Sequence, residues 1–168
     1  MANEKLGRPS KERKAMLRGL VTAVIEHGRV ETTTPRAKAT ASEVEKVISI
    51  AKRTYQDNQT VKKTVTVDGK KVEKEVVIDG PKKLNARRKI MSILYDVAET
   101  RQKDESLENF KARTEGVNHP LVEKVFNVLA PKYADRAKEL GTDGGYTRVI
   151  KTRARRGDAS ELAIVELV

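Results

Sequence analysis

The 168-residue chain contains no cysteine and no tryptophan, and its only histidines are His27 and His119. Without cysteine there is neither a disulfide framework nor a thiolate metal site, which fits a reducing, cytoplasmic setting. Two histidines far apart in sequence, with no thiol, make no catalytic constellation. His27 falls at a predicted helix end, where a capping role accounts for it. HExxH and GxSxG are missing, and GTDGG at 141–145 is not followed by the Gly-Lys-[Ser/Thr] of a phosphate-binding loop. Glu43 and Glu45 lie on a solvent-facing helix pattern, so they offer no carboxylate pair in an apolar setting. No apolar run approaches a membrane span, and MANEKLGRPSKERK lacks the apolar core of a signal peptide. These gaps argue against an enzyme, a metal, a cofactor, a small-molecule substrate and a membrane. Aromatics make up only 4% of the chain. With so few rings to stack on splayed bases, phosphate contact should dominate any nucleic-acid binding.

Positive charge is what the chain has in excess. Lysine and arginine total 35 against 24 acids, a formal charge of +11. That balance calls for a polyanionic partner, with RNA, DNA and anionic membrane as the candidates. Residues 1–53 hold twelve basic and six acidic side chains, most of the surplus. Between Gly144 and Gly157 stand Arg148, Lys151, Arg153, Arg155 and Arg156 without one acid.

Apolar spacing organises the chain. A first helix is predicted from a Ser10 cap to His27, with Gly28 taking a positive φ. Its stripe is Leu17, Leu20, Val21 and Val24, and Lys11, Lys14 and Arg18 fall nearly opposite. Arg29–Thr33 reads as a strand. Thr34 should cap a second helix with Pro35 at its first position, burying Val44, Val47, Ile48 and Ala51. Residues 60–78 alternate with period two around Asp68-Gly69, a hairpin signal. Pairing Val67 with Lys70 sets Val65 against Val72 and Val61 against Val76, which gathers five valines on one face. Lys62, Lys63, Lys70 and Lys71 are mixed with acids and read as solvated. A third helix is expected over Leu84–Ala98, with Ile90, Ile93, Leu94 and Val97 inward. Residues 99–118 read as a loop or a short exposed helix. A fourth helix after Pro120 buries Leu121, Val122, Val125, Phe126 and Leu129, and Pro131 should kink or end it. A turn at Gly141–Gly145 leads to strands Tyr146–Arg153 and Leu162–Val168.

Three groups of cations are candidates for phosphate contact. Lys11, Lys14 and Arg18, flanked by Arg8 and Arg13, make a basic helix face opposite an apolar one, which we read as a phosphate contact in preference to a merely solvated face. Arg153, Arg155 and Arg156, with Arg148 and Lys151, could bind RNA or protect a sheet edge. Arg87, Arg88 and Lys89 fit either RNA contact or plain helix decoration. Arg156-Gly157-Asp158 spells an integrin-binding tripeptide, which we read as accidental, with Asp158 organising its turn.

Taken together the segments resemble a family. GRPSKERKAMLRGL, HGRVETTTPRAK, NARRKIM, LVEKVFNVLAPKYADR and GGYTRVIKTRARRGDASELAIVELV, in that order, are similar to bacterial large-subunit ribosomal protein seventeen. The blocks span about two thirds of the chain. The resemblance implies one α+β domain over residues 1–168: helix, strand, helices, then two strands, with a small mixed sheet packed on helices and an inserted β-hairpin. It implies assembly onto large-subunit ribosomal RNA, near the outer side of the peptide exit region, among neighbouring ribosomal proteins. It also adds Arg36 and Lys38 to the RNA-binding candidates. Three features depart from the pattern: Asn3 and Glu4 stand where a more basic start is usual, residues 57–83 and 99–118 look like insertions, and 137–143 lengthen the approach to Gly144. The alternative is a sequence-tolerant DNA-binding or nucleoid protein using a helix-turn-helix. Against it, Gly28 leads into a strand instead of a recognition helix.

Overall fold

The computed structural model describes residues 5–67 and 70–168, and the side chains outside 63–74. Its first helix, α1, runs Ser10–His27 and stops at Gly28, whose φ of 81° lets its N–H donate to Val24 O at 2.8 Å. Only a residue without a Cβ takes that conformation freely. The expected Ser10 cap is displaced: Ser10 is already helical, and Pro9 precedes it with extended backbone and no capping bond. Val21, Val24 and Ile25 are the buried stripe, with Leu17 and Leu20 half-buried at its margin.

Strand β1, Arg29–Thr33, leads into α2, Thr34–Lys52. Pro35 lies in the first turn of α2, but Thr34 does not cap it. The Thr34 hydroxyl is used across the fold, donating to Glu161 O at 3.3 Å. Val44, Val47, Ile48 and Ala51 are fully buried, as their spacing predicts, along with Ala37. The last two strands, β4 (Thr147–Ala154) and β5 (Glu161–Leu167), form a hairpin, and β1 pairs on the other side of β5. The expected mixed sheet is antiparallel throughout, because the short β4–β5 loop forces that direction and Gly28 O accepts from Leu167 N at 2.9 Å to set β1 against β5. Register sets Val30 and Val149 on either side of the buried Val165, so one row of branched side chains meets α1 and α2. Arg29 and Arg148 flank Glu166 in the next row. The fold is thus α+β, with helices covering one sheet face.

Between α2 and the next helix, β2 (Asn58–Val67) and β3 (Lys70–Asp79) pair in the expected register, including Val61 with Val76 and Val65 with Val72. The turn expected at Asp68-Gly69 lies outside the described residues, as do most side chains of the valine face. At its described end, Val61 is exposed and Val76 half-buried.

Helix α3 spans Pro81–Ile93, starting earlier and stopping sooner than the spacing predicts. Both boundaries are set from a distance. The Asp57 carboxylate accepts from Lys82 N at 2.8 Å and Lys83 N at 3.3 Å, capping a terminus 25 residues away. Gly80 makes room for it: a Cβ there would come within 2.5 Å of the Asp57 carboxyl and push it off the helix terminus. At the other end, the Arg18 guanidinium takes the Leu94 carbonyl at 2.6 Å, and Tyr95 N donates to Thr22 Oγ1 at 3.0 Å. A short exposed helix, α4, covers Leu107–Thr114, with Ser106 Oγ accepting from Asn109 N at 3.2 Å.

Pro131 does not end the following helix. α5 (Pro120–Lys124) continues through a π turn at Val125–Leu129 into α6 (Ala130–Leu140). The π turn bonds Ala130 N to Val125 O, five residues back. The wider turn gives the proline ring room against the carbonyl it would otherwise strike. Leu121, Val122, Val125, Phe126 and Leu129 stay buried through it.

Candidate nucleic-acid interface

The sequence-derived cations divide into those spent inside the protein and those left at its surface. On α1, Lys11 and Lys14 are exposed and Arg13 half-buried, and none of the three has an ion-pair partner among the described residues. Arg8 reaches Glu12 at 3.5 Å. Arg18, expected on the same outward face, turns inward instead. Besides Leu94 O it lies 4.3 Å over the Tyr95 ring, and its Nε–H is buried without a partner. The carbonyls at the end of α3 need donors, and Arg18 supplies one.

The neighbours Arg87 and Arg88 separate in the same way. The Arg87 guanidinium bonds the Asp79 carboxylate and forks onto Glu123, at 2.5 and 3.2 Å. Burial pushes the Asp79 carboxyl up, but Lys83 and Arg87 outweigh it and hold the group below its usual range. Burial likewise works against the Arg87 charge, and Glu123 with Asp79 more than compensates. Lys83 is buried too, at 2.7 Å from Asn58 Oδ1 and 2.9 Å from Asp79. Arg88 and Lys89 are exposed.

Three surface grooves collect the remaining charge. The first lies between α1 and the end of α3, lined by Lys14, Arg18, Glu43 and Tyr95. A second, at the start of α2, brings Lys38 and Lys151 beside Thr33, Thr34 and Ser160. Lys151 also reaches Glu161 at 3.3 Å. Arg36 is half-buried in the same first turn. A third groove, between α2 and α3, is lined by Arg53, Lys82 and Lys89 with no acid. Arg53 and Lys82 escape sequence reasoning, because 29 positions separate them and no local pattern joins them.

In the β4–β5 hairpin, Arg153, Arg155 and Arg156 are all exposed. Asp158 builds the loop between the strands: it accepts from Arg155 at 2.5 and 2.9 Å, from Ser160 N at 3.2 Å and from Ser160 Oγ at 2.8 Å. These donors, Arg155 foremost, hold its carboxyl far below the usual range. Arg153 and Arg156 have no carboxylate partner among the described residues. Arg148 stands 3.9 Å from Glu166. β4 is an edge strand, so its cations also discourage pairing with another sheet. Among the described residues no helix is long and apolar enough to cross a membrane.

Comparison with known proteins points one way. A family model described as Ribosomal protein L17 matches residues 16–168. Large ribosomal subunit protein bL17 of Clostridium botulinum (strain Loch Maree / Type A3) is 36% identical over 164 residues, covering 98% of this chain and 96% of that protein. The protein of the same name from Acetivibrio thermocellus is 34% identical over 193 residues, covering 99% of each. That of Clostridium acetobutylicum is 36% identical, over 98% of this chain and 95% of its own length.

Proposed function

The chain belongs to the ribosomal protein L17 family, and from that premise we propose that it is a structural constituent of the bacterial large ribosomal subunit, in the cytoplasm, that binds large-subunit ribosomal RNA. It acts by neutralising phosphates and stabilising the local RNA fold during assembly, next to neighbouring ribosomal proteins. It forms one domain, with residues 57–83 and 99–118 as additions to it.

The observation that carries this reading is the separation of the cations. A protein of charge +11 ties Lys83, Arg87 and Arg18 into its own frame and keeps most of the other candidate cations at its surface. The contact set is Arg8, Lys11, Arg13, Lys14, Arg36, Lys38, Arg88, Lys89, Arg148, Lys151, Arg153, Arg155 and Arg156, with Arg53 and Lys82 added. Lysines serve as mobile point charges, and arginines fork onto phosphate oxygens. Arg18 and Arg87 act as positioning residues for α3.

Sedimentation of a cell lysate tests the proposal. The protein should travel with the large subunit in low and moderate salt and leave it when the RNA is digested. Sedimentation that depends on DNA, or a protein that stays with the soluble fraction, would overturn it.

A further inference from the structure

Phosphate contact leaves one feature unused. Of the six aromatic rings, Phe126, Tyr133 and Tyr146 are buried and Tyr55 and Phe110 half-buried. Tyr95 alone is exposed, at 42%. It is also clamped. Its backbone N–H donates to Thr22 Oγ1 at 3.0 Å, and Arg18, fixed on Leu94 O, lies 4.3 Å from its centroid. Thr22 is itself anchored, donating to Arg18 O at 2.8 Å. The ring borders a cleft of about 570 Å³ between α1 and α3, walled by Ala15, Leu17, Val21 and Ile93 with Lys14 beside them. It also borders a second cleft of about 100 Å³ toward Asp96 and His119. Of the two acids nearby, Glu43 is paired with Lys46 at 2.7 Å, and Asp96 lies 3.2 Å from the His119 ring nitrogen Nδ1.

We propose that Tyr95 is a stacking platform for one unpaired nucleobase of the bound RNA. An apolar cleft with a fixed ring at its edge suits a flat heterocycle, and the cations of α1, Lys14 and Lys11, suit the phosphate attached to it. A ring packed under Arg18, on backbone pinned by Thr22, loses little freedom on binding. The inference rests on the RNA-binding reading above and adds to it a contact that carries no charge.

That difference makes it testable. Tyr95→Leu and Tyr95→Phe, in the full chain, would be titrated against large-subunit ribosomal RNA by filter binding over a range of salt. Tyr95→Leu should bind roughly five- to 150-fold more weakly, with the slope of log affinity against log salt unchanged, because no phosphate contact is lost. Tyr95→Phe keeps the ring over Arg18 and should bind like the native protein. A base-reactive chemical footprint should show one base shielded by the native and Phe proteins and open with the Leu variant. Native affinity in Tyr95→Leu would sink the platform while leaving the RNA reading intact. So would a weakened variant with a shallower slope, which would mean that the substitution disturbs the phosphate contacts of α1 and not a stacked base. A variant that binds RNA normally but fails to join large subunits would assign the ring to a neighbouring protein. If the native chain itself does not bind the RNA, the RNA reading falls first.

Discussion

Two arginine-rich segments, Asn85–Lys89 on α3 and Thr152–Asp158 in the β4–β5 hairpin, look alike along the chain and differ completely in the fold. In the first, Arg87 meets Asp79 and Glu123, eight and 36 residues away, and the adjacent Lys83 meets Asp79 and Asn58. In the second, the carboxylate that engages the arginines, Asp158, belongs to the segment itself. It shapes the loop through Arg155 and leaves Arg153 and Arg156 outside. Charge counted along the sequence therefore does not say which cations are available to a partner. That depends on whether distant elements deliver acids to them.

The sharpest way to break this comparison is at Arg87. Arg87→Met takes the cation from Glu123, leaves Asp79 with Lys83 alone at a half-buried site and removes the contact of the guanidinium with the Phe126 ring, at 5.0 Å. Truncating one partner of such a network should cost about 3 kcal/mol, lowering the melting temperature by roughly 6–12 °C for a chain of this size. Arg88→Met, one position on, should stay within about 0.5 kcal/mol. Equal losses in thermal unfolding would show that the two arginines are not differently employed.

Asp79 sharpens it through pH. Its folded pKa is depressed, so the ionised form contributes stability that is present above the ordinary carboxylate range, near pH 4, and is lost as pH falls through the folded value. Asp79→Asn should therefore cost about 1–2 kcal/mol at neutral pH. The native and variant unfolding curves should converge as the solution is acidified. A gap that persists undiminished at pH 2–3 would place the stabilisation elsewhere.

The same division explains what could be read from the sequence. Buried stripes were legible: Val44, Val47, Ile48 and Ala51, or Leu121 to Leu129, follow from helical spacing alone. So were the end of α1 at Gly28 and the hairpin register, because both are local. What was hidden was tertiary. Asp57 caps α3 and Arg18 ends it, neither of which any spacing announces. Pro131 lies within a continuing helix because a π turn precedes it. In the candidate interface, the outward cations of α1 and of the β4–β5 loop were readable from density of charge. The inward turn of Arg18 and Arg87, the pairing of Lys38 with Lys151 in one groove, and the roles of Arg53 and Lys82 needed the fold.

Among the outward cations the expected effects move from stability to binding. Changing Arg153, Arg155 and Arg156 to Ser should leave the core strands intact, since Ile150, Ile164 and Val165 are untouched. The salt dependence of RNA binding should become shallower by about two to three units. Lys11 and Lys14 changed together to Ala should lower it by about two, whereas adding Arg18→Ala should chiefly lower the melting temperature. If Arg18→Ala flattens the slope by itself, its inward placement does not survive in the complex. If the arginine triple variant competes equally with native protein for incorporation into large subunits, that loop is dispensable.

The smallest effect is expected in the hairpin between α2 and α3, and its size depends on where the cut is made. Replacing residues 58–81 by a short Gly-Ser linker would remove Asn58 and Asp79, and with them the partners of Lys83 and Arg87, as well as Gly80 and Pro81 at the start of α3. That deletion should approach the Arg87→Met loss. Cutting further out, between 62 and 75, spares all of those groups. The strands there pair with one another, a two-stranded ribbon adds little stability of its own, and loop length changes closure entropy only slowly. The shorter deletion should therefore unfold within about 0.5 kcal/mol of the native protein. Chemical denaturation of the two deletions side by side distinguishes the cases. Equal, large losses would mean that the outer half of the hairpin belongs to the domain core, and equal, negligible losses would mean that the carboxylates at its foot do not hold α3 in place.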